Sequence, residues 1–319
     1  MGESINKKSL ILINRTMITD KFKSLQQLAS QQILAAPDQE KFFKKRFENL
    51  PDDQMAAMNE LASHIEKLIA EAPGDFFADY VWLCEEQLKE ELYFRRHHKY
   101  RLSTFEEAYR EVYSNKEYMT RYMNGLLMTQ LWWANHFEII DYYRNAFLAT
   151  NQPGYNHLEI GPGHGLFIYL AAADPNHGSV TGWDISETSI ASTQSALKTL
   201  GLKTLPKLEL QNLFENPEGQ YDSIVFSEVL EHMDEPRRAL SVIRSILAPT
   251  GRLFLNMPIN SPAPDHLFNM ESPEALEEFI KTVGFEIEDR AYFPATNQSL
   301  ELARKKKLTI SCGFIARKA

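Results

Sequence analysis

A glycine-rich turn, HLEIGPGHG, is the segment of this chain best suited to bind a nucleotide-like ligand. A short apolar run ends at Glu159, Gly161, Gly163 and Gly165 follow at alternate positions, and a helix-like apolar pattern covers residues 166–173. Glycine has no Cβ, so a ligand can approach the backbone closely, and the first turn of a helix offers N–H groups without partners. The pattern predicts the ligand-binding corner of an open α/β sheet, where the first strand meets its helix.

The spacing of these glycines indicates which nucleotide binds. A dinucleotide fingerprint reads G-x-G-x-x-G, but here the position of the last glycine holds Leu166, which disfavours a nicotinamide oxidoreductase. About twenty residues further on, the apolar segment VTGWD ends at Asp184, a suitable carboxylate for a ribose diol. Asp184 could instead cap the next helix, although Ser186 could fill that role.

Five segments between residue 155 and about 290 resemble, in order and spacing, the motifs of the class I S-adenosylmethionine (SAM) methyltransferases. They are the glycine turn, VTGWDIS, LELQNL, YDSIVFSEVLEHM and LAPTGRLFLNMP. The resemblance implies an α/β fold with a Rossmann-like, seven-stranded sheet and SAM as cofactor. It also implies that Glu159 lies near the amino group of SAM and that Asn212 and Leu213 meet the adenine. The full set of residues expected to hold SAM is Glu159, Gly161, Gly163, Asp184, Asn212, Leu213 and Ser227.

A second cluster, at the end of the predicted fourth strand, could carry the chemistry of the methyl acceptor. Glu228, Glu231 and His232 have the spacing E-x-x-E-H, and on a helix the positions i, i+3 and i+4 share one face, which could bind a divalent cation. His266, in the long proline-rich segment NSPAPDHLF, is a fourth candidate ligand. The layout resembles the metal-dependent branch of the family, which includes small-RNA 3′-terminal 2′-O-methyltransferases, and quinone-biosynthesis O-methyltransferases carry a related motif. A metal there would orient a hydroxyl and lower its pKa, and Mg, Mn, Fe and Zn all remain open.

The segment SEVLEH also resembles methyltransferases that use no metal. In those enzymes the first glutamate orders the loop and the histidine supports the donor site. His232 or His266 would then be the candidate general base, because an imidazole titrates near neutral pH. The catalytic candidates are therefore His232, His266 and Glu231.

Residues 1–150 differ from the rest, because apolar residues recur there at helical spacing with almost no glycine. The predicted helical runs are 20–35, 38–48, 53–72, 76–95, 104–114 and 116–149. A capping box of Ser103 and Glu106 is expected to open the fifth run. We interpret residues 1–150 as an all-α cap, or substrate-binding, domain over the SAM-binding domain of residues 151–319. Four cap residues are candidates for substrate contacts: Tyr118, Tyr122, Trp133 and His136. The alternative role for the cap is oligomerisation, as a homodimer.

The overall composition of the chain limits the classes of partner that are expected. The chain has 319 residues and a net charge of −9, which disfavours a nucleic-acid partner because such proteins usually present a basic face. Two cysteines, Cys84 and Cys312, give no disulfide framework and fit a reducing cytoplasm. No signal peptide and no membrane-spanning apolar stretch is expected.

The expected function is SAM-dependent methylation of a small organic acceptor at oxygen, with possible help from a divalent metal. Two alternatives remain open. One is a metalloenzyme of the same fold that catalyses an oxidation, decarboxylation or cyclisation, and the other is a non-catalytic SAM-binding protein.

Overall fold

A computed structural model of the chain describes residues 17–215 and 217–319. The prediction that the N-terminal segment is not a signal peptide concerns residues that lie almost entirely outside the described ranges. A helical half precedes an α/β half, and the first sheet strand begins at Tyr155, close to the predicted boundary. Within the part of the chain that is described, no helix is both long and apolar enough to cross a membrane.

The helices of the first half follow the predicted runs closely until residue 132. They are α1 (Lys23–Ala35), α2 (Glu40–Phe47), α3 (Asp52–Glu71), α4 (Phe76–His97), α5 (Phe105–Ala108), α6 (Lys116–Trp132) and α7 (Ala134–Tyr142). Several of these helices begin with the capping side chains that are expected at a helix start. For example, the Asp75 side chain accepts a hydrogen bond from the Ala78 N–H at the start of α4. The capping box before α5 is real but lies one residue later than predicted, with Thr104 and Glu107 as its partners.

The prediction of one helix over residues 116–149 is wrong. Trp133 has an extended backbone (φ −90°, ψ 125°) that separates α6 from α7, and the N–H of Ala134 donates to Thr296 Oγ1 at 2.7 Å. Beyond α7 the chain continues as a π-helical turn, Tyr143–Phe147, and a 3₁₀ turn, Leu148–Thr150. The break arises because a distant side chain satisfies a backbone donor at the start of α7.

The second half forms a seven-stranded sheet among the described residues, in the order β3-β2-β1-β4-β5-β7-β6. Its strands are β1 (Tyr155–Ile160), β2 (His177–Asp184), β3 (Lys207–Leu210), β4 (Tyr221–Ser227), β5 (Leu247–Ile259), β6 (Phe285–Pro294) and β7 (Ile310–Lys318). The connecting helices are α8 (Leu166–Ala173), α9 (Glu187–Thr199), α10 (Pro236–Ile246), α11 (Pro273–Thr282) and α12 (Leu300–Lys306). β7 runs antiparallel to both of its neighbours, whereas β1 to β5 pair in parallel. This sheet confirms the predicted α/β, Rossmann-like fold class.

Aromatic side chains join the helical half to the sheet. Phe254 of β5 lies within 5.3 Å of the Tyr143 ring and 5.5 Å of the Phe147 ring, measured between ring centroids. At Gly313 of β7, an added Cβ would lie 3.0 Å from the ring of Tyr142, so this glycine permits the close approach of α7. The cap is therefore packed directly on the sheet that carries the predicted SAM site.

The ligand crevice lies where β1 and β4 are neighbours. After β1 the chain crosses to β2 on one side, and β4 pairs on the other side, so their carboxyl ends border a topological switch point. Ile160 is opposite Phe226 in the ladder, which brings the turn after β1 beside the segment that begins at Ser227. The two predicted clusters thus meet at one edge of the sheet.

Candidate active site

The glycine turn has the backbone that its sequence predicts. Gly161, Gly163 and Gly165 have φ values of +73°, +51° and +83°, which other residues rarely adopt. An added Cβ at Gly161 would lie 2.9 Å from Cγ2 of Val229, in the segment after β4, whereas at Gly163 the nearest atom would be 4.0 Å away. The turn therefore packs tightly on the second cluster at one glycine and leaves room for a ligand at another.

Glu159 of β1 is buried with one oxygen, Oε2, that has no hydrogen-bond partner among the described residues. Burial raises the pKa of this carboxyl group to about 8. An unpaired buried carboxylate is costly, and an ammonium group beside it would offset that cost. This environment suits the amino group of SAM.

The remaining residues predicted to hold SAM lie at the carboxyl ends of neighbouring strands. Asp184 ends β2, and burial raises the pKa of its carboxyl group. Its Oδ1 accepts a hydrogen bond from the Ser186 N–H, while the Ser186 hydroxyl caps α9. Just after β3, the side chain of Asn212 accepts a hydrogen bond from the Phe214 N–H, and Leu213 is buried. Ser227 ends β4. The roles of these residues in holding SAM stay predictions.

Three of the four predicted metal ligands come together. One ligand atom from each of Glu231, His232 and His266 lies within 4.8 Å of the others, among the residues that the structure describes. In a tetrahedral Zn²⁺ site with metal–ligand bonds of about 2.1 Å, the ligand atoms lie about 3.4 Å apart, so side-chain shifts of about 1 Å would complete such a site. Glu231 is fully buried and neither carboxylate oxygen has a hydrogen-bond partner in the described chain.

The hydrogen bonds of both imidazoles leave Nε2 available to bind a metal. Nδ1 of His266 lies 2.6 Å from the carbonyl oxygen of Ser261, and Nδ1 of His232 lies 3.0 Å from that of Asp265. A carbonyl only accepts, so each Nδ1 carries the hydrogen and each Nε2 keeps a free lone pair. Burial lowers the pKa of His266 to about 4, which keeps this ring neutral at physiological pH. The donor set therefore fits a divalent cation.

Glu228 departs from its prediction. Its backbone has a φ of +54°, and only residues Leu230–His232 form a short 3₁₀ turn, so the expectation of a helix through the E-x-x-E-H segment is wrong. Glu228 lies outside the three-residue group, and its Oε1 accepts from Asn256 Nδ2 at 2.7 Å. Burial raises the pKa of Glu228 to about 7, and burial together with the charge of Glu228 raises that of Glu231.

A small cavity of about 30 Å³ lies between the cap and His266. Its lining combines Glu228 and His266 with three predicted substrate residues: Tyr122, Trp133 and His136. The fourth predicted substrate residue, Tyr118, is not part of that lining, and its hydroxyl group donates to Glu86 at 3.4 Å. The break between α6 and α7 lies at this cavity.

His136 is held in a defined orientation by α6. The Thr129 hydroxyl donates to the Leu126 carbonyl at 2.7 Å, so its oxygen is free to accept from His136 Nδ1 at 2.9 Å. Gln130 Nε2 also lies 3.3 Å from that nitrogen, but it has the Leu126 carbonyl as an acceptor. In this arrangement Nε2 of His136 carries a free lone pair, and burial lowers the pKa of the ring to about 3.

Two residues of this site, Tyr113 and Asp265, are not among those singled out from the sequence. Asp265 is buried and accepts hydroxyl hydrogen bonds from Tyr122 at 2.8 Å and from Tyr113 at 3.1 Å. Burial alone would raise its pKa, but His232, His266 and the two hydroxyl groups outweigh burial, and the pKa of Asp265 is lowered. No pattern in the sequence connects these residues, although an acid beside a candidate ligand histidine was a weak signal.

Comparison with known proteins agrees with this geometry. Residues 132–290 match the family model of a methyltransferase domain. The chain carries a methyltransferase domain of the class I SAM-dependent type. The match begins at the end of α6 and ends within β6, so it includes α7 as well as β1 to β5.

Two curated relatives are ubiquinone biosynthesis O-methyltransferases. The protein from Dechloromonas aromatica is 28% identical over 121 residues, which are 38% of this chain and 51% of the relative. The protein from Marinobacter nauticus is 32% identical over 124 residues, 37% of this chain and 49% of the relative. The chain thus spans about half the length of these relatives.

Solved structures resemble this methyltransferase more distantly. Magnesium protoporphyrin IX methyltransferase from Synechocystis, with S-adenosylhomocysteine bound, aligns with a TM-score of 0.46 at 20% identity. The alignment covers 58% of this chain and 84% of that one. At this score the likeness carries no weight for function.

Proposed function

We propose that the protein transfers the methyl group of SAM to an oxygen of a small organic acceptor, with a divalent metal ion held by Glu231, His232 and His266. The observation that carries the metal assignment is the buried Glu231 carboxylate, whose oxygens have no hydrogen-bond partner among the described residues, within 4.8 Å of a ligand nitrogen of both His232 and His266. The relatives that are named O-methyltransferases support oxygen as the acceptor atom.

The donor would lie on the glycine turn. Glu159 would pair with the amino group of SAM, and Asp184 would accept hydrogen bonds from the ribose hydroxyls. Asn212 and Leu213 would border the adenine. These residues would hold SAM beside the segment after β4, against which Gly161 packs.

The acceptor would occupy the cavity between the cap and the carboxylate–imidazole cluster. Its walls include the apolar side chains of Leu83, Leu126 and Trp133, and its polar lining includes His136 and Ser261. A volume of about 30 Å³ holds only a few water molecules, so the cap and the loop after β5 must separate to admit an acceptor. Closure would then exclude water and hold the oxygen in line with the methyl group.

The reaction is a direct displacement. The acceptor oxygen attacks the methyl carbon while the S–CH₃ bond breaks, and the products are a methyl ether and S-adenosylhomocysteine. The hydroxyl proton passes to the Glu228 carboxylate, which lines the same cavity. When bound, a divalent ion would coordinate the acceptor hydroxyl and lower its pKa. His136 Nε2 would accept a hydrogen bond from a second donor group on the acceptor.

The test combines metal analysis with product analysis on protein purified without a histidine tag. We expect near-stoichiometric metal in the parent chain and in a control, His97→Ala, at an exposed position. Glu231→Gln and His266→Ala should lose the metal but still bind SAM. A panel of hydroxylated small molecules should yield S-adenosylhomocysteine and a methyl ether in a reaction that a chelator inhibits.

The outcomes separate the parts of this proposal. Methyl transfer that ignores both chelator and variants would refute the metal and leave the transferase. Metal-dependent turnover without S-adenosylhomocysteine would refute methylation. A parent chain that does not bind SAM would refute the enzyme assignment.

A further inference from the structure

The loop between β5 and α11, which carries His266, is anchored to the helical cap. The hydroxyl group of Tyr100 accepts from the Ser261 N–H at 3.0 Å and donates to Asn269 Oδ1 at 3.1 Å. Arg101 reaches the carbonyl oxygen of Pro264 at 3.5 Å. The cap therefore determines where this loop lies.

Asp265 is the point at which the cap reaches the candidate metal ligands. The residue is only 3% exposed, and each carboxylate oxygen accepts a hydrogen bond from one tyrosine hydroxyl of the cap. Tyr122 comes from α6 and Tyr113 from the π-helical turn Tyr109–Tyr113. These two donors hold the carboxylate in one orientation.

Asp265 and Tyr113 also surround the outer nitrogen of His232. Nδ1 lies 3.0 Å from the carbonyl oxygen of Asp265, 3.5 Å from its Oδ2 and 3.3 Å from the Tyr113 hydroxyl. Three acceptors on one side fix the hydrogen on Nδ1 and the tilt of the ring. Nε2 is thereby turned inward, 4.0 Å from Oε1 of Glu231.

We propose that Asp265, held by Tyr113 and Tyr122, is a positioning residue that fixes His232 as a metal ligand, so that the metal site is complete only when the cap is docked. This inference rests on the metal site of the proposed function. A ligating histidine usually donates its other N–H to a carboxylate or carbonyl, and loss of that partner typically weakens metal binding 10- to 100-fold.

The chain provides a matched control for this arrangement. Tyr118 lies one helical turn before Tyr122, and the two rings stack with centroids 6.1 Å apart. The hydroxyl group of Tyr118 donates to Glu86 instead of Asp265. Tyr118→Phe therefore removes a hydroxyl from the same helix without touching the network around His232.

The experiment measures the affinity of the metal-free full chain for Zn²⁺ alone, by competition with a chromophoric chelator. We expect Tyr118→Phe to bind like the parent, Tyr122→Phe to bind about 10-fold more weakly, and Tyr113→Phe/Tyr122→Phe about 100-fold more weakly. Asp265→Asn, a second route to the same defect, should also bind 10- to 100-fold more weakly. SAM affinity, measured on the same samples, should stay within about 2-fold, which shows that the donor half is folded.

Each result bears on one claim. Equal Zn²⁺ affinity in all variants would overturn the positioning role and leave the metal site intact. A parent chain that binds no Zn²⁺ would overturn the metal part of the proposed function and this inference with it. Replacing Zn²⁺ by Co²⁺ gives a further readout, because loss of an imidazole ligand should change the visible absorption spectrum of the variants.

Discussion

Replacing Glu159 by glutamine tests the donor site, because it should change the number of protons that SAM binding releases. The side chain is 4% exposed, and burial raises its pKa to about 8, compared with 4.5 for an ordinary glutamate. At pH 7 the carboxyl group of the free protein therefore carries about 0.9 proton. When the ammonium group of SAM binds beside it, that pKa must fall, and binding must release close to one proton. Glutamine has the same shape and no proton to release.

The assay is calorimetric titration of SAM at pH 7 in two buffers of different ionisation enthalpy. We expect the parent chain to release about 0.9 proton more than Glu159→Gln, and the variant to bind about 10-fold more weakly because a charge-assisted hydrogen bond is lost. The difference between the two proteins removes the contribution of the amino group of SAM itself. Equal proton release in both would refute the pairing of Glu159 with the ammonium group.

The same substitution predicts a change in stability with pH. The folded pKa is raised, so the unfolded chain loses its proton first, and the stability that the neutral group contributes is lost as the pH rises from about 4.5 to about 8. Relative to Glu159→Gln, the SAM-free parent should lose about 2 kcal/mol between pH 6 and pH 8. Urea unfolding at both pH values measures this difference, and a constant difference would mean that the burial of Glu159 does not raise its pKa.

Two further substitutions test the backbone turn and the cap. Gly161→Ala should weaken SAM binding at least about 10-fold, because a side chain there is strained and clashes with the segment after β4. Gly201 also has a positive φ but is surrounded by open space, so Gly201→Ala should lower the stability by about 1 kcal/mol and leave the SAM affinity unchanged. Thr129→Val should raise the KM for the acceptor about 10-fold, because His136 loses the partner of its Nδ1. Thr120→Val, which removes a hydroxyl that bonds only to a carbonyl of the same helix, should leave that KM unchanged. Steady-state kinetics and SAM titration check both pairs, and equal effects within either pair would contradict the reasoning.

The backbone of the glycine turn and the positions of the acids at the strand ends were predictable because each of these features is local. A glycine that needs a positive φ, an acid two residues before it and a carboxylate at the next strand end can all be found within a few residues of sequence. The helices of the cap were also predictable from periodicity, but only to within a residue or two. Thr104 and Glu107 form the capping box one position after the predicted pair, because both candidate positions hold a hydroxyl followed three residues later by a glutamate.

The helix break at Trp133 was not predictable in the same way. The apolar pattern continues through it, and the partner that satisfies the Ala134 N–H is Thr296, 162 residues away. Likewise, the left-handed backbone of Glu228 removes it from the helix face that the E-x-x-E-H spacing suggested. In each case the local pattern favours a regular helix and a long-range contact or a tight turn overrides it.

Asp265 shows why the acceptor side of the site depends on the whole fold. From the sequence alone, its only candidate partner is its neighbour His266, and adjacent residues rarely face one another. In the structure it faces His232, 33 residues earlier, and two tyrosines of the cap. The cap thus contributes to the proposed acceptor side twice, through the cavity wall and through the groups that hold a candidate metal ligand. Substitutions in the cap should therefore change the affinities for the acceptor and for the metal together. The donor site is built from the strand ends, so the same substitutions should leave the SAM affinity unchanged.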